Sequence, residues 1–256
     1  MIQALALTKK FGKLTAVDRL DLQVQAGELF GFLGANGAGK TTTIKMLIGI
    51  LRPTSGRALV GGVDVGTDPV RAKTLLGYVP DQPDVYERLT AVEFLRFVAD
   101  IRRLERRQAD RRILGLLELF DLRDRAGELL GGYSHGMKQK ICLAAALLPE
   151  PRVIFLDEPT VGLDPKSARL IKDILRGLCA KGTTVFMSTH ILEIAERMCD
   201  RVGIIQNGRL IQAGTLAELS RFAANGAAQP EMSLEDLFLQ LTGGPEFEEI
   251  ARFLEA

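Results

Sequence analysis

Leu29-Phe30-Gly31-Phe32-Leu33-Gly34-Ala35-Asn36-Gly37-Ala38-Gly39-Lys40-Thr41-Thr42 decides the architecture of this chain. A short apolar run reads as a buried strand and the glycines as a tight loop. Thr41 to Leu51 has the spacing of a helix that stops at Arg52-Pro53. Gly34 to Thr41 fits G-x-x-x-x-G-K-[ST] in the strand, loop, helix setting that its chemistry needs. Glycines let the backbone curl so that successive N–H groups point inward at phosphate oxygens, and the helix N-terminus adds its positive dipole end. Lys40 is then expected to reach the β- and γ-phosphates of a nucleoside triphosphate, and the Thr41 hydroxyl to ligate Mg²⁺.

The natural complement lies downstream. Val153-Ile154-Phe155-Leu156-Asp157-Glu158 is an apolar strand ending in two carboxylates. In an open parallel sheet the ligand crevice lies beyond the C-terminal strand ends, so both acids should face the phosphate loop. Asp157 is placed to hold Mg²⁺, directly or through water, leaving Glu158 to polarise an attacking water as general base. An acid pair capping a helix before Pro159 is the alternative reading of the same residues.

Around these motifs, Ile2 to Leu7 and Val17 to Val24 read as strands joined through a turn at Phe11-Gly12-Lys13. Ala58 to Val60 and Leu75 to Val79 add short strands. Between about 84 and 150 the pattern turns helical (Val92–Leu104, Asp110–Phe120, Met137–Leu148), which predicts a helical subdomain inserted in a sheet protein. Its arginine cluster, Arg102 to Arg112, is interleaved with Asp100, Glu105 and Asp110 and reads as a solvated helix face. Strands return at Val153, Thr183–Met187 and Val202–Ile205, separated by helices near Ser167–Ala180 and Ile191–Met198. That βαβ alternation implies an α/β fold with a mostly parallel sheet covered on both faces.

Composition sets the outer limits. The 256 residues carry 33 Lys and Arg against 32 Asp and Glu, a net charge of +1, which disfavours nucleic-acid binding by bulk electrostatics. The neutrality is a cancellation, because residues 210–256 hold two basic and eight acidic side chains. The longest apolar run, Ile141 to Leu148, is far short of the roughly 18–20 residues that span a bilayer. Neither a secretory leader nor a C-x-x-C pair is apparent, so a reduced, cytoplasmic setting is expected, with Cys142, Cys179 and Cys199 as packing residues. No internal repeat is visible, which leaves one nucleotide site's worth of sequence.

In these motifs and their order the chain resembles the ATP-binding cassette (ABC) ATPases over roughly residues 1–215. Tyr133-Ser134-His135-Gly136-Met137 stands where the family has its L-S-G-G-Q signature. Gly162-Leu163-Asp164 matches the D-loop, Ser188-Thr189-His190 ends in the switch histidine, and Phe11 stands where an aromatic ring meets adenine. The resemblance implies a P-loop NTPase core with N-terminal antiparallel β-strands and the inserted helical subdomain at about 84–150. A short acidic helical extension, residues 216–256, would follow.

It also implies two cassettes packed head to tail around each ATP. One face would be Phe11, Gly34 to Thr42, Asp157, Glu158 and His190; the other, from a second copy or a close relative, would be Ser134 and Gly136. His190 would contact the γ-phosphate and orient the water. Simple core packing is the lesser alternative for Phe11, and a structural role at a strand-to-helix junction the lesser alternative for His190. The partners implied are a second cassette and an integral-membrane permease, gripped by the surface from Asp81 to Arg103, with the cassette peripheral on the cytoplasmic face and no nucleic acid expected. The Y-S-H-G-M-K-Q-K variant and the acidic extension look most like export-type (ABC-2-like) cassettes.

Two departures stand out. His135 replaces the first signature glycine and Met137 the glutamine. The Q-loop glutamine, eight residues before the Leu89-Thr90 pair, falls on Asp81, while the glutamine is Gln82, so Asp81 is expected to take over as a Mg²⁺ ligand unless the loop shifts by one. A soluble ABC ATPase working on ribosomes or nucleic acid is the competing function, and a degenerate cassette used only for binding is a third. The soluble class usually carries tandem cassettes, long coiled coils or zinc modules, none of which is visible, and Lys40, Asp157, Glu158 and His190 are all present.

Overall fold

The computed structural model describes residues 1–223 and 232–243. The chain builds two sheets. β1 (Ile2–Phe11) and β2 (Leu14–Val24) form an antiparallel hairpin. β4 (Ser55–Val60) and β5 (Val63–Asp64) extend it in the order β2-β1-β4-β5. The second sheet runs β10-β9-β3-β8-β7-β6, from β10 (Arg209–Gly214), β9 (Arg201–Gln206), β3 (Leu29–Leu33), β8 (Thr184–Thr189), β7 (Val153–Asp157) and β6 (Leu76–Val79). Its five strands from β9 to β6 are parallel and only the edge strand β10 is antiparallel, as the α/β reading with N-terminal antiparallel strands expects.

Residue alternation along these strands divides the core between the two faces of the large sheet. Phe30, Phe32, Phe155 and Phe186 point to the face shared with the small sheet and α1 (Lys40–Leu47), and all four are fully buried. Phe186 is the hub, with ring centroids 5.6, 5.3 and 5.5 Å from those of Phe30, Phe32 and Phe155. Leu29, Ile154, Leu156, Val185 and Met187 face the opposite way. There they share one core with buried residues of α3 (Ala91–Ile101), α4 (Arg106–Leu119), α5 (His135–Leu147) and α6 (Pro165–Ala180). Thr90 starts α3 with a capping box to Glu93, and Asp164 caps α6 ahead of Pro165. These caps fix where each helix leaves the loops that follow the sheet.

Several boundaries differ from the sequence reading, each for a local reason. The helix expected over Thr41–Leu51 ends at Leu47, because the N–H groups of Ile50 and Leu51 both turn back to the Lys45 carbonyl, each at 2.9 Å. α2 (Pro69–Thr74), capped by Asp68, was not anticipated. Nor was β10, although it follows Asn207-Gly208, the dipeptide that closes tight hairpins. α5 begins at His135 rather than Met137, so Ser134 is its N-cap.

Together with β9, α7 (Leu192–Met198), α8 (Leu216–Ala223) and α9 (Leu234–Thr242) share a smaller core of Ala195, Ile204, Leu219, Leu234 and Leu237. Gln206 also donates a hydrogen bond to the Thr242 carbonyl at 2.8 Å. The rest of the acidic extension, 224–231 and 244–256, lies outside the described residues.

Candidate active site

The loop 34–39 leaves the buried end of β3 and turns straight into α1. Its geometry depends on Gly39, at φ +110°, where a methyl group would stand 2.6 Å from the Ala16 carbonyl oxygen. No residue with a side chain fits there without moving β2. Lys40, the first residue of α1, is 6% exposed, and its ammonium donates to the Gly34 and Ala35 carbonyls at 2.7 and 3.2 Å. The same nitrogen lies 3.4 Å from Glu158 Oε1. A buried cation therefore sits between loop carbonyls and a carboxylate.

Around it is a cavity of about 360 Å³. Ala35, Asn36, Gly37, Gly39, Lys40, Thr41, Thr42, Asp81, Glu158 and Phe11 line it, together with Leu14 and Ala16, which the motif reading had not included. Phe11 pairs with Leu14 across the β1–β2 hairpin, and both are exposed at its edge. An aromatic and an aliphatic side chain are thereby left as a dry platform of the kind a nucleobase covers. The hairpin register could have revealed Leu14, since the Phe11-Gly12-Lys13 turn places the two side by side. Gly34 and Ala38 belong to the loop but do not line the cavity.

Asp157 and Glu158 end β7 in different environments. Asp157 is fully buried; its Oδ1 accepts the Ser188 hydroxyl and its Oδ2 has no hydrogen-bond partner among the described residues. Burial pushes its carboxyl above the ordinary range, opposed by the Ser188 hydrogen bond and the nearby Thr41 hydroxyl and reinforced by the charges of Asp81 and Glu158. Glu158 has φ +49°, a left-handed backbone unusual for a residue with a side chain. It is held there because its N–H donates to both the carbonyl and the hydroxyl of Ser188 at 3.2 Å. Its carboxylate reaches His190: Oε1 lies 3.0 Å from Nδ1, and Oε2 accepts the His190 backbone N–H at 3.3 Å. Ser188 thus supports both acids, a role the switch motif alone had not suggested.

No group of three His, Cys, Asp or Glu side chains among the described residues forms a metal cage. What is present is a hydroxyl and a buried carboxylate with one orphan oxygen, near a second carboxylate at Asp81. This hard-oxygen set suits Mg²⁺ bound together with substrate phosphates and water. Gln82 does not line the cavity, whereas Asp81 does. Ser134 and Gly136 are also absent from it; they lie at the start of α5, where Ser134 accepts the Met137 N–H at 3.4 Å.

The orphan oxygen of Asp157 carries a stability prediction. Asp157→Asn keeps the acceptor for Ser188 and removes a buried charge. The ligand-free protein should gain on the order of 1 kcal/mol, or about 2–4 °C in Tm. The same substitution should abolish any stabilisation by MgATP over ATP in EDTA. Thermal unfolding with and without nucleotide reads both, and a lower Tm for the ligand-free variant would contradict the account.

Similarity to known proteins agrees with this geometry. The profile of the ABC transporter family matches residues 17–161. The probable multidrug ABC transporter ATP-binding protein YbhF of Escherichia coli (strain K12) is 41% identical over 241 residues, 94% of this chain. The chain spans only 41% of YbhF. A solved ATP-binding subunit of an ABC transporter superposes with a TM-score of 0.87 at 34% identity, over 94% of this chain and 99% of that one. The dimeric structure of MJ0796, a bacterial ABC transporter cassette, gives 0.78 at 25% identity, over 84% and 99%. With the glycine loop, Asp157, Glu158 and His190 gathered at the strand ends of one mostly parallel sheet, the chain belongs to the ABC transporter family.

Proposed function

We propose that this chain binds and hydrolyses MgATP as one half of a two-cassette pair, and so energises a separate integral-membrane permease, in the export direction. The observation that carries this reading is the Glu158 carboxylate, held between Lys40 and His190 at the floor of the phosphate loop. In the proposed step Glu158 takes a proton from water, the water oxygen attacks the γ-phosphorus, and the bond to the bridging oxygen breaks to release ADP. His190 holds the carboxylate through its ring and backbone. Lys40 exchanges its bonds to the Gly34 and Ala35 carbonyls for β- and γ-phosphate oxygens. Thr41, Asp157 and Asp81 would hold Mg²⁺, which neutralises phosphate charge and orients the chain of phosphates. Phe11 and Leu14 would cover the adenine.

The position of Ser134 and Gly136 outside the cavity supports their use in trans, on the nucleotide of a second copy, and the dimeric MJ0796 cassette supports such pairing. For the permease, the surface from Asp81 to Arg103 adjoins a groove of about 760 Å³ that shares Ile101 to Arg103 with it and bares Ile50 and Val70. No helix of the described residues is long and apolar enough to cross a membrane, so the transport path would belong to that partner, with this chain peripheral on the cytoplasmic face. The multidrug name of YbhF favours export and membrane work over the ribosomal alternative.

Because a complete site would need two copies, phosphate release should rise more steeply than linearly with protein concentration, require Mg²⁺, and vanish in EDTA. A mild-detergent pull-down should bring a membrane permease with the chain. Strictly linear activity, or recovery of ribosomes instead, would sink this reading.

A further inference from the structure

The first turn of α5 and the loop between β7 and α6 touch within one chain. A methyl group at Gly162 would stand 3.2 Å from Cδ2 and 3.4 Å from Nε2 of His135. One at Gly136 would stand 3.4 Å from Leu163 Cδ2. The imidazole therefore sits on the Gly162 backbone, where φ is +75° and no side chain holds it off.

The loop beneath it is short and anchored at both ends. Asp164 accepts the Ser167 N–H at 3.0 Å and the Ser167 hydroxyl at 2.6 Å, which ties the far end to α6. On the near side the Leu163 N–H donates to the Thr160 carbonyl, and the Val161 N–H to the Glu158 carbonyl, both at 3.3 Å. Two successive turns thus connect the residue under His135 to Glu158, whose own backbone is already held in the left-handed region. With the far end tied to α6 by the Asp164 cap, these turns are the route by which a shift at Gly162 would reach Glu158.

We propose that His135 is a positioning residue for hydrolysis: its ring, seated on Gly162, holds residues 159–164 against α5 and thereby sets the carboxylate of Glu158. This deepens the function proposed above and rests on Glu158 as the base. A glycine at position 135, as in the L-S-G-G-Q pattern, has no atoms to make this contact, so the device belongs to the Y-S-H-G-M variant.

The test is a double-substitution cycle in the full chain: His135→Gly, Gly162→Ala, both together, and His135→Phe. His135→Gly should lower kcat about 3- to 10-fold, the scale of a base misplaced by a fraction of an ångström. Gly162→Ala should cost at least about 3-fold less in kcat when residue 135 is glycine, because its methyl then meets no ring. His135→Phe keeps a ring over Gly162 and should retain most of the activity. The same cycle read in Tm measures the contact independently of turnover.

Unchanged kcat in His135→Gly overturns the proposal. So do effects of the two substitutions that simply multiply, the result expected if the imidazole acted directly on the partner's nucleotide. Coupling in Tm without coupling in kcat makes the contact merely structural and overturns it too. Glu158→Gln, assayed beside them, judges the base assignment separately: turnover that survives it removes the proposed function while leaving the Tm cycle readable.

Discussion

Replacing Glu158 by Gln should reduce ATP turnover by about 10²- to 10⁴-fold, the range expected when a general base is lost. The substitution is nearly isosteric. An amide oxygen can still accept the His190 backbone N–H, which now reaches Oε2 at 3.3 Å, and the Ser188 bonds to the residue 158 backbone are untouched. What disappears is the proton acceptor and the charge 3.4 Å from the Lys40 ammonium. Binding of ATP should therefore survive, and with that negative charge gone the γ-phosphate should be tolerated better. The variant should accumulate as an ATP-bound pair, visible as a shift from monomer to dimer in size-exclusion chromatography with ATP and absent with ADP. Undiminished phosphate release would refute Glu158 as the base.

Lys40→Ala should cost about 2–4 kcal/mol in ATP binding, or roughly 30- to 1,000-fold, because a buried charge-assisted contact is lost and its phosphate partners stay unpaired. Lys40 is 6% exposed and donates to two loop carbonyls, so alanine also removes the clamp that shapes the loop before nucleotide arrives. Arginine should not rescue it, since its planar fork is too large for a slot shaped to a single ammonium. The assignment of Lys40 to the β- and γ-phosphates adds a sharper test. AMP lacks both groups, so its affinity should fall far less than that of ATP in the same titrations. Equal losses for AMP and ATP would mean that Lys40 acts only by supporting the loop.

The fold was legible because its signals are local and periodic. The buried runs at Leu29, Val153 and Thr183 alternate with helical segments, and βαβ alternation admits few topologies. The misses were short elements with weak periodicity: α2 has six residues, and β10 is half-buried along most of its length. The phosphate loop was legible for a different reason. Gly34, Gly39, Lys40 and Thr41 act through backbone shape and reach within one turn of chain, so spacing alone defines their geometry.

Tertiary structure decided whatever depends on strands that are distant in sequence. Asp157 and Ser188 are 31 residues apart and meet because β7 and β8 are parallel neighbours in register. That register makes one acid a buried carboxylate with an orphan oxygen and turns the next toward His190 and Lys40. Asp81 rather than Gln82 lines the cavity, from the turn that follows β6, and which of two adjacent turn residues faces the phosphate loop is again set in space. The contact of His135 with Gly162 joins segments that no sequence spacing relates. The sequence by itself determined which chemical groups are present and the local loops that present them. Only packing could decide which of those groups are buried, paired or left open, because burial and pairing are properties of neighbours in space and not of neighbours along the chain.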